Sequence, residues 1–316
     1  MRRCVDFHRE ALDIARGGGR IALILGAGGA KGFAYHAGIL AAIEQSWSWS
    51  PNQAARIIGT SAGSVTGALI RQGFSTTDLR ATAVGSAGRD SETAQTLRIP
   101  PPIDIDLSLS WRSLRIPKPH EVRRLAQLAA QGPVTFGALG LLRNGQHDFE
   151  KEVDFLGDEW SNGPLELVTV RADTGNRIVL TRSSNVSLSK AVAASCAVPS
   201  IMRPVEIFDY SHVDGAVASP TNADLAANDQ SLDAVIVISP MSGHSANTVI
   251  GKASLWQART CLESELRMFK EIPVSVFSPS GRASELIIDS TNSQTDYHQI
   301  VNDAFDSLDL SAGAQV

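Results

Sequence analysis

The sequence predicts an α/β protein built on a mostly parallel sheet, and three observations carry that prediction. Ile21-Ala22-Leu23-Ile24-Leu25 is a continuous apolar run of strand length, the pattern of a parallel strand buried on both faces. It passes into a glycine-rich loop, Gly26-Ala27-Gly28-Gly29-Ala30-Lys31-Gly32, and then into Phe33 to Glu44, where apolar residues recur at helical spacing. Strand, loop and helix in that order form a βα unit. A second unit follows, with Ile57-Ile58 ending a short buried strand and small residues from Ala62 onward opening a packed helix.

Composition narrows the classes. The chain has 316 residues, 43% of them apolar, enough for one large core or two modest ones. A net charge of −5 offers no electrostatic case for nucleic acid as a partner, and no run of Lys and Arg forms a polybasic patch. The cysteines Cys4, Cys196 and Cys261 are widely spaced and lack a Cys-X-X-Cys pair, which fits a reducing, cytoplasmic compartment and no zinc site. Charged and apolar residues alternate through Arg16, so the apolar core of a signal peptide is missing. The window from Ile21 to Ile43 is apolar, but Lys31, His36 and several glycines make membrane insertion costly, and it reads as strand, loop and helix.

Taken in order, Val5, His8, Leu12 and Ala15 predict a short amphipathic helix over 5–16, ended by Gly17-Gly18-Gly19. Pro51 and Asn52 punctuate the first crossover. The helix after Ser61 ends near Gly73, and another begins at Asp78 with Thr76 or Thr77 as its cap. From about 85 to 163 the texture changes: Pro100-Pro101-Pro102 precedes Ile103, Ile105, Leu107, Leu109 and Trp111, with Pro117 and Pro119 beyond. Adjacent prolines cannot sit in a central strand or a helix interior. The segment, helical in pieces at 121–131, 136–142 and 149–160, reads as an insertion or cap over the C-terminal edge of the sheet. A core at about 20–84 and 164–280 surrounds it.

Leu165 to Val170 and Arg177 to Leu180 are strands around Asp173-Thr174-Gly175-Asn176, which has hairpin-turn chemistry. Ser187 to Ala197 is a small-residue helix ending before Pro199. Pro204 to Phe208 leads towards His212-Val213-Asp214-Gly215-Ala216. Asp233 to Ser239 is another buried strand, Ser254 to Lys270 a helix, and Pro273 to Phe277 the last strand. A covering helix lies within about 282–310, centred on Asp296 to Leu308.

The chemistry concentrates at the βα loops. Gly59-Thr60-Ser61-Ala62-Gly63 matches the Gly-X-Ser-X-Gly elbow, in which a serine projects from a sharp strand-to-helix bend at a helix N-terminus that favours developing negative charge. A tight turn of small residues is the alternative. The first glycine loop is one place out of register for a dinucleotide fingerprint, and lacks the Gly-Lys-Ser/Thr of a phosphate loop. It suits an oxyanion hole, where consecutive glycine N–H groups point at the oxygen of a tetrahedral intermediate.

A serine hydroxyl needs a positioned base. A Ser-His-Asp arrangement would draw on His244 or His298. The other option is a carboxylate acting directly, and Asp214 qualifies because Asp-Gly-Ala follows a strand and precedes Pro220. A simple Asp-Gly turn is the alternative there.

Together, Gly28-Gly29-Ala30-Lys31-Gly32, Gly59-Thr60-Ser61-Ala62-Gly63 and Asp214-Gly215-Ala216 resemble the three signatures of the patatin-like phospholipases. Ala193 to Pro199 with Arg203-Pro204-Val205 resembles the family's run before its aspartate, and Asn222 stands where an asparagine often follows. The resemblance covers roughly 20 to 240. It implies a single domain with a three-layer α/β/α fold and hydrolysis of lipid or phospholipid acyl esters by a Ser61–Asp214 dyad. The oxyanion hole would draw on Gly28, Gly29, Ala30 and Ala62, with Gly26, Lys31, Gly32, Gly59, Gly63, Gly215 and Ala216 completing the motifs. Neither metal nor cofactor is implied, and peripheral contact with a membrane is. On this reading the 85–163 segment is either a packed insertion or a lid presenting Ile103, Leu107, Leu109 and Trp111 to lipid. Ala27 replaces the usual first glycine of the loop, and Lys31 stands where the family has arginine or lysine. It would hold the loop, favour anionic head groups, or simply be solvated. A soluble-ester Ser-His-Asp esterase and a catalytically silent lipid-binding protein are the alternatives to the enzyme reading.

Overall fold

The computed structural model describes residues 4–86, 147–199, 201–289 and 294–308. Helix α1 (Cys4–Arg16) precedes β1 (Ile21–Leu25), α2 (Gly29–Trp47), β2 (Arg56–Thr60), α3 (Ala62–Arg71) and α4 (Thr76–Ala83). After a short α5 (Glu150–Val153) come β3 (Leu165–Arg171), β4 (Arg177–Leu180) and α6 (Leu188–Ser195). The hairpin β5 (Val205–Ile207) and β6 (Tyr210–Asp214) leads to β7 (Ala234–Ile238), α7 (Val249–Leu266), β8 (Val274–Phe277), α8 (Gly281–Asp289) and α9 (Gln294–Asp306).

The strands form one eight-stranded sheet in the order β5-β6-β3-β2-β1-β7-β8, with β4 also on β3. The five strands from β3 to β8 in that order are parallel, whereas β4, β5 and β6 are antiparallel additions. Side chains of the apolar strands divide between two faces with the period of the pleat. Ile21, Leu23, Leu25, Ile57 and Ile236 join a large cluster with α2, α3, α6 and α9, while Ala22, Ile24, Ile58, Val235 and Val237 join a smaller one with Leu262 of α7. Helices on both faces of a largely parallel sheet give the three-layer α/β/α architecture.

Several elements differ from the sequence reading in physically explicable ways. Helix α2 begins inside the glycine loop, because Gly32 N–H closes a first turn on Gly28 O at 2.8 Å. Helix α4 starts at Thr76, since Ser75 rather than a threonine is the cap: its hydroxyl accepts Asp78 N–H at 3.0 Å, and Asp78 answers with a bond from Ser75 N–H at 2.9 Å. Thr248, which accepts Gly251 N–H at 2.9 Å, starts α7 five residues earlier than expected. The single C-terminal helix expected at about 282–310 corresponds to two described helices, α8 and α9. The expected helix at 149–160 divides into α5 and a 3-10 turn over Asp154–Leu156, ended by Gly157 at φ 68°.

Residues 147–160 pack into the main body: Val153, Leu156 and Trp160 are buried, and Trp160 Nε1 donates to Val186 O at 2.8 Å. The expected helices at 121–131 and 136–142 and the proline-rich stretch with its apolar residues lie outside the described residues. Helix α9 covers α2 closely enough that a Cβ at Gly38 would lie 2.5 Å from Val301 O.

Candidate active site

The elbow turns on one residue. Strand β2 ends at Thr60, α3 begins at Ala62, and Ser61 makes the bend with φ 54° and ψ −118°. A positive φ at a residue with a side chain costs about 1–3 kcal/mol and persists only where the surroundings impose it. They do so here by close approach. A Cβ on Gly63 would lie 1.9 Å from Leu25 O, and one on Gly59 would lie 2.6 Å from Gly63 O. Only glycine lets α3 start directly over the end of β1. Hydrogen bonds complete the restraint: Ser61 N–H donates to Ser195 Oγ at 3.1 Å, and Ser64 Oγ donates to Ser61 O at 2.6 Å.

Sheet topology brings Asp214 to the same place. Thr60 pairs with Val168 of β3, and Asp214 pairs with the next residue, Thr169. Strand β4 occupies the opposite edge of β3 from Leu167 to Val170, so β2 and β6 share one edge and meet end to end. The last residue of β6 thereby arrives beside the first residue after β2. Asp214 is 2% exposed and Ser61 6%. Asp214 N–H donates to Ala197 O at 3.0 Å, and its Oδ1 accepts Ala216 N–H at 2.8 Å. Burial pushes the Asp214 carboxyl up to about 7, against the lowering effect of hydrogen-bonding contacts with the Ser61 hydroxyl and the Ala216 amide. Gly215 is needed for close packing, because a Cβ there would lie 2.4 Å from Val168 O.

The glycine loop runs alongside. Gly26 N–H donates to Ile238 O at 2.9 Å and Ala27 N–H to Pro220 O at 2.8 Å, so both are used in holding the loop. Gly28 is extended, with no room for a side chain between Gly32 and Pro240, and Gly29 has φ 59°. The N–H groups of Gly28, Gly29 and Ala30 have no acceptor among the described residues, and the same holds for Ala62 and Gly63 at the start of α3. Because β1 and β2 are adjacent and parallel, two helix N-termini open side by side at one sheet edge. Ala27 does not have a positive φ, so alanine is tolerated there without strain.

A polar brace lies behind this edge. Asn222, at φ 53°, donates through Nδ2 to Thr60 Oγ1 at 3.0 Å and Ser219 O at 2.6 Å, while Arg177 donates to its Oδ1 at 3.1 Å. Glu265 of α7 accepts from Thr221 Oγ1 at 2.6 Å and Ala223 N–H at 2.9 Å, and burial raises its pKa. The turn that receives Ala27 N–H is thus fixed from both layers. Lys31 is 5% exposed, with Nζ donating to Leu286 O at 2.9 Å and lying 3.4 Å from Asp296 Oδ2. It ties the start of α2 to α8 and α9, so it is not the solvated lysine that the sequence left open.

His244 and His298 are exposed, and neither bonds to Ser61 or Asp214. His36 is fully buried with Nδ1 3.0 Å from Thr66 Oγ1, and burial lowers its pKa to about 3, leaving it neutral. Sequence reasoning misses Ser195 and Glu265. Ser195 lies within the small-residue run from Ala193 to Pro199, but nothing in that run distinguishes a hydroxyl bonded to the elbow from an ordinary helix serine. Among the described residues, no helix is long and apolar enough to cross a membrane.

Among curated proteins no sequence matches significantly. Among solved structures, VipD from Legionella pneumophila aligns with a TM-score of 0.47 and 12% identity over 92% of this chain and 66% of VipD. The type III effector protein ExoU aligns with a TM-score of 0.39 and 14% identity over 92% of this chain and 52% of ExoU. This chain therefore spans just under two thirds of the length of the first and about half of the second. Residues 23–227 match the Patatin-like phospholipase family, a span that contains the glycine loop, the Ser61 elbow and Asp214. The chain belongs to the patatin-like phospholipase family.

Proposed function

We propose that this protein is a serine acyl hydrolase that cleaves acyl ester bonds of lipids or phospholipids, with Ser61 as nucleophile and Asp214 as its base. The observation that carries the reading is the meeting of β2 and β6 along one edge of β3, which sets a buried carboxyl against a strained serine. In the first half-reaction the Asp214 carboxylate accepts the Ser61 proton as Oγ attacks the ester carbonyl carbon. Amide N–H groups of Gly28, Gly29, Ala30 and Ala62 receive the oxyanion, each such donor being worth roughly 3–4 kcal/mol in a dry site. Collapse expels the alcohol portion of the lipid, which takes the proton from Asp214 and leaves an acyl-serine. Water then attacks the acyl carbon while giving a proton to Asp214, and the fatty acid departs as Ser61 is reprotonated.

The carboxyl pKa near 7 supports this role, because a base works best with a pKa close to the operating pH. A lipid substrate implies peripheral contact with a membrane. The test is labelling of purified protein with a fluorophosphonate, followed by hydrolysis of phospholipid and short-chain esters. Wild type is expected to label and turn over, and Ser61→Ala to do neither, with turnover reduced by about 10³-fold or more. A folded wild type that neither labels nor hydrolyses any ester overturns the enzyme reading in favour of a binding role. Activity lost on changing His244 or His298 moves the base to histidine.

A further inference from the structure

Ser195, the last residue of α6, is completely buried, and its hydroxyl is used twice. It accepts Ser61 N–H at 3.1 Å and donates to Val168 O at 2.7 Å. With its one hydrogen directed at Val168, its lone pairs are left to face the Ser61 amide. Val168 is the β3 residue paired with Thr60, so the hydroxyl fastens the elbow to the strand that organises both halves of the site. Two residues further on, Ala197 O accepts Asp214 N–H at 3.0 Å, and between them Cys196 Sγ lies 3.4 Å from Ser64 Oγ. One short segment therefore grips the backbone of Ser61 and the backbone of Asp214.

We propose that Ser195 is a positioning residue whose hydroxyl holds Ser61 in its strained conformation and so aims the Ser61 Oγ at Asp214. The proposal rests on the reading of Ser61 as nucleophile. Without the Ser195 hydroxyl, Ser61 N–H is a buried donor with no acceptor, and the bend relaxes towards allowed dihedral angles to find one. The nucleophile then moves, and displacements on the order of 1 Å cost up to about 10²-fold in rate. The same bond has a second effect: it occupies Ser61 N–H, leaving oxyanion stabilisation to Ala62 and the 28–30 loop.

The experiment compares wild type, Ser195→Ala and Ser195→Thr by circular dichroism, by the rate of fluorophosphonate labelling per titrated site, and by kcat and KM on one ester. Ser195→Ala is expected to fold and to lose about 10–100-fold in labelling rate and kcat, with KM within about twofold and the acid limb of the pH profile unmoved. Ser195→Thr, which keeps the hydroxyl, recovers most of the rate. A purely structural role would lower stability and the titre of active protein without slowing the sites that remain. Labelling of Ser195→Ala at the wild-type rate overturns the positioning role alone, whereas an unlabelled wild type overturns the nucleophile reading and this proposal with it. If Ser195→Ala does not fold, Ser195→Cys preserves the volume with a weaker acceptor. A slowed Ser195→Cys supports the proposal, and a wild-type rate or a failure to fold overturns it.

Discussion

The amide of Ala27 donates to the carbonyl of Pro220 at 2.8 Å, so the residue standing where the family usually has a first glycine turns its N–H into the protein rather than towards substrate. Its φ is not one that only glycine tolerates. Ala27→Gly is expected to leave kcat/KM within about threefold and to lower stability by about 0.4–1 kcal/mol through added freedom in the unfolded chain. Ester kinetics and thermal denaturation on the same preparation check both halves; a gain of tenfold or more in kcat/KM would identify alanine as a brake on the loop.

The raised pKa of Asp214 fixes the direction of two pH effects. As the proposed base it must be ionised, so kcat/KM is expected to rise with pH through about 7 and then level. For stability, the folded-state pKa of about 7 lies above the ordinary aspartate value of 3.8, so the folded protein binds this proton more tightly than the unfolded chain does. The contribution therefore favours folding at low pH and is lost as pH rises through that interval. Above it a penalty remains, ~1.4 kcal/mol for each pH unit separating the folded and unfolded pKa values. Asp214→Asn keeps an acceptor for Ala216 N–H and removes the penalty. It is expected to be inactive, to melt above wild type at about pH 8, and to show a smaller gain at about pH 5. Scanning calorimetry at the two pH values decides it, and equal gains at both would assign the effect elsewhere.

Two glycines of the site are predicted to fail differently. Gly63→Ala drives a methyl to within 1.9 Å of Leu25 O, where backbone meets backbone and nothing can yield, so soluble folded protein is not expected. Gly29→Ala has open space but must adopt φ 59°, at a cost of roughly 1–2 kcal/mol. It should fold with a lowered Tm. Soluble yield and thermal melts separate the two; a well-folded Gly63→Ala would mean that α3 can lift from β1.

Lys31→Met removes a buried donor from Leu286 O and a partner from Asp296. The expected cost is about 1–3 kcal/mol, with faster amide exchange in α8 and α9. The ratio of hydrolysis rates on anionic and zwitterionic vesicles should not change. A change in that ratio would put the lysine charge at the substrate.

The central elements are legible in the sequence because they are constrained twice. The run Ile21 to Leu25 is apolar on both faces because both faces are covered, and Gly59 and Gly63 flank Ser61 because side chains there would strike neighbouring backbone. Less legible is anything set by distant pairing. The β5–β6 turn places Phe208 and Asp209 at φ 47° and 66° without the Asn-Gly or Asp-Gly that announces such a hairpin, so the antiparallel course of β6 leaves little local trace. Ser195 and Glu265 are invisible for the same reason: their partners, Val168 and Ser61 for one and Thr221 and Ala223 for the other, are far away in the chain.

The shared edge of β3 also makes the site all-or-none. A slip of one residue between β6 and β3 would carry Asp214 about 3.3 Å along the strand and turn its side chain to the other face of the sheet. No intermediate register holds the carboxyl at half its distance from Ser61. Because β2, β3 and β6 come from separated parts of the chain, their pairing rests on long-range contacts, which slow folding as a class. On the proposed roles of Ser61 and Asp214, the fraction of molecules that react with a fluorophosphonate is expected to count those with β6 in register, which would make labelling stoichiometry an assay of folding fidelity as well as of chemistry.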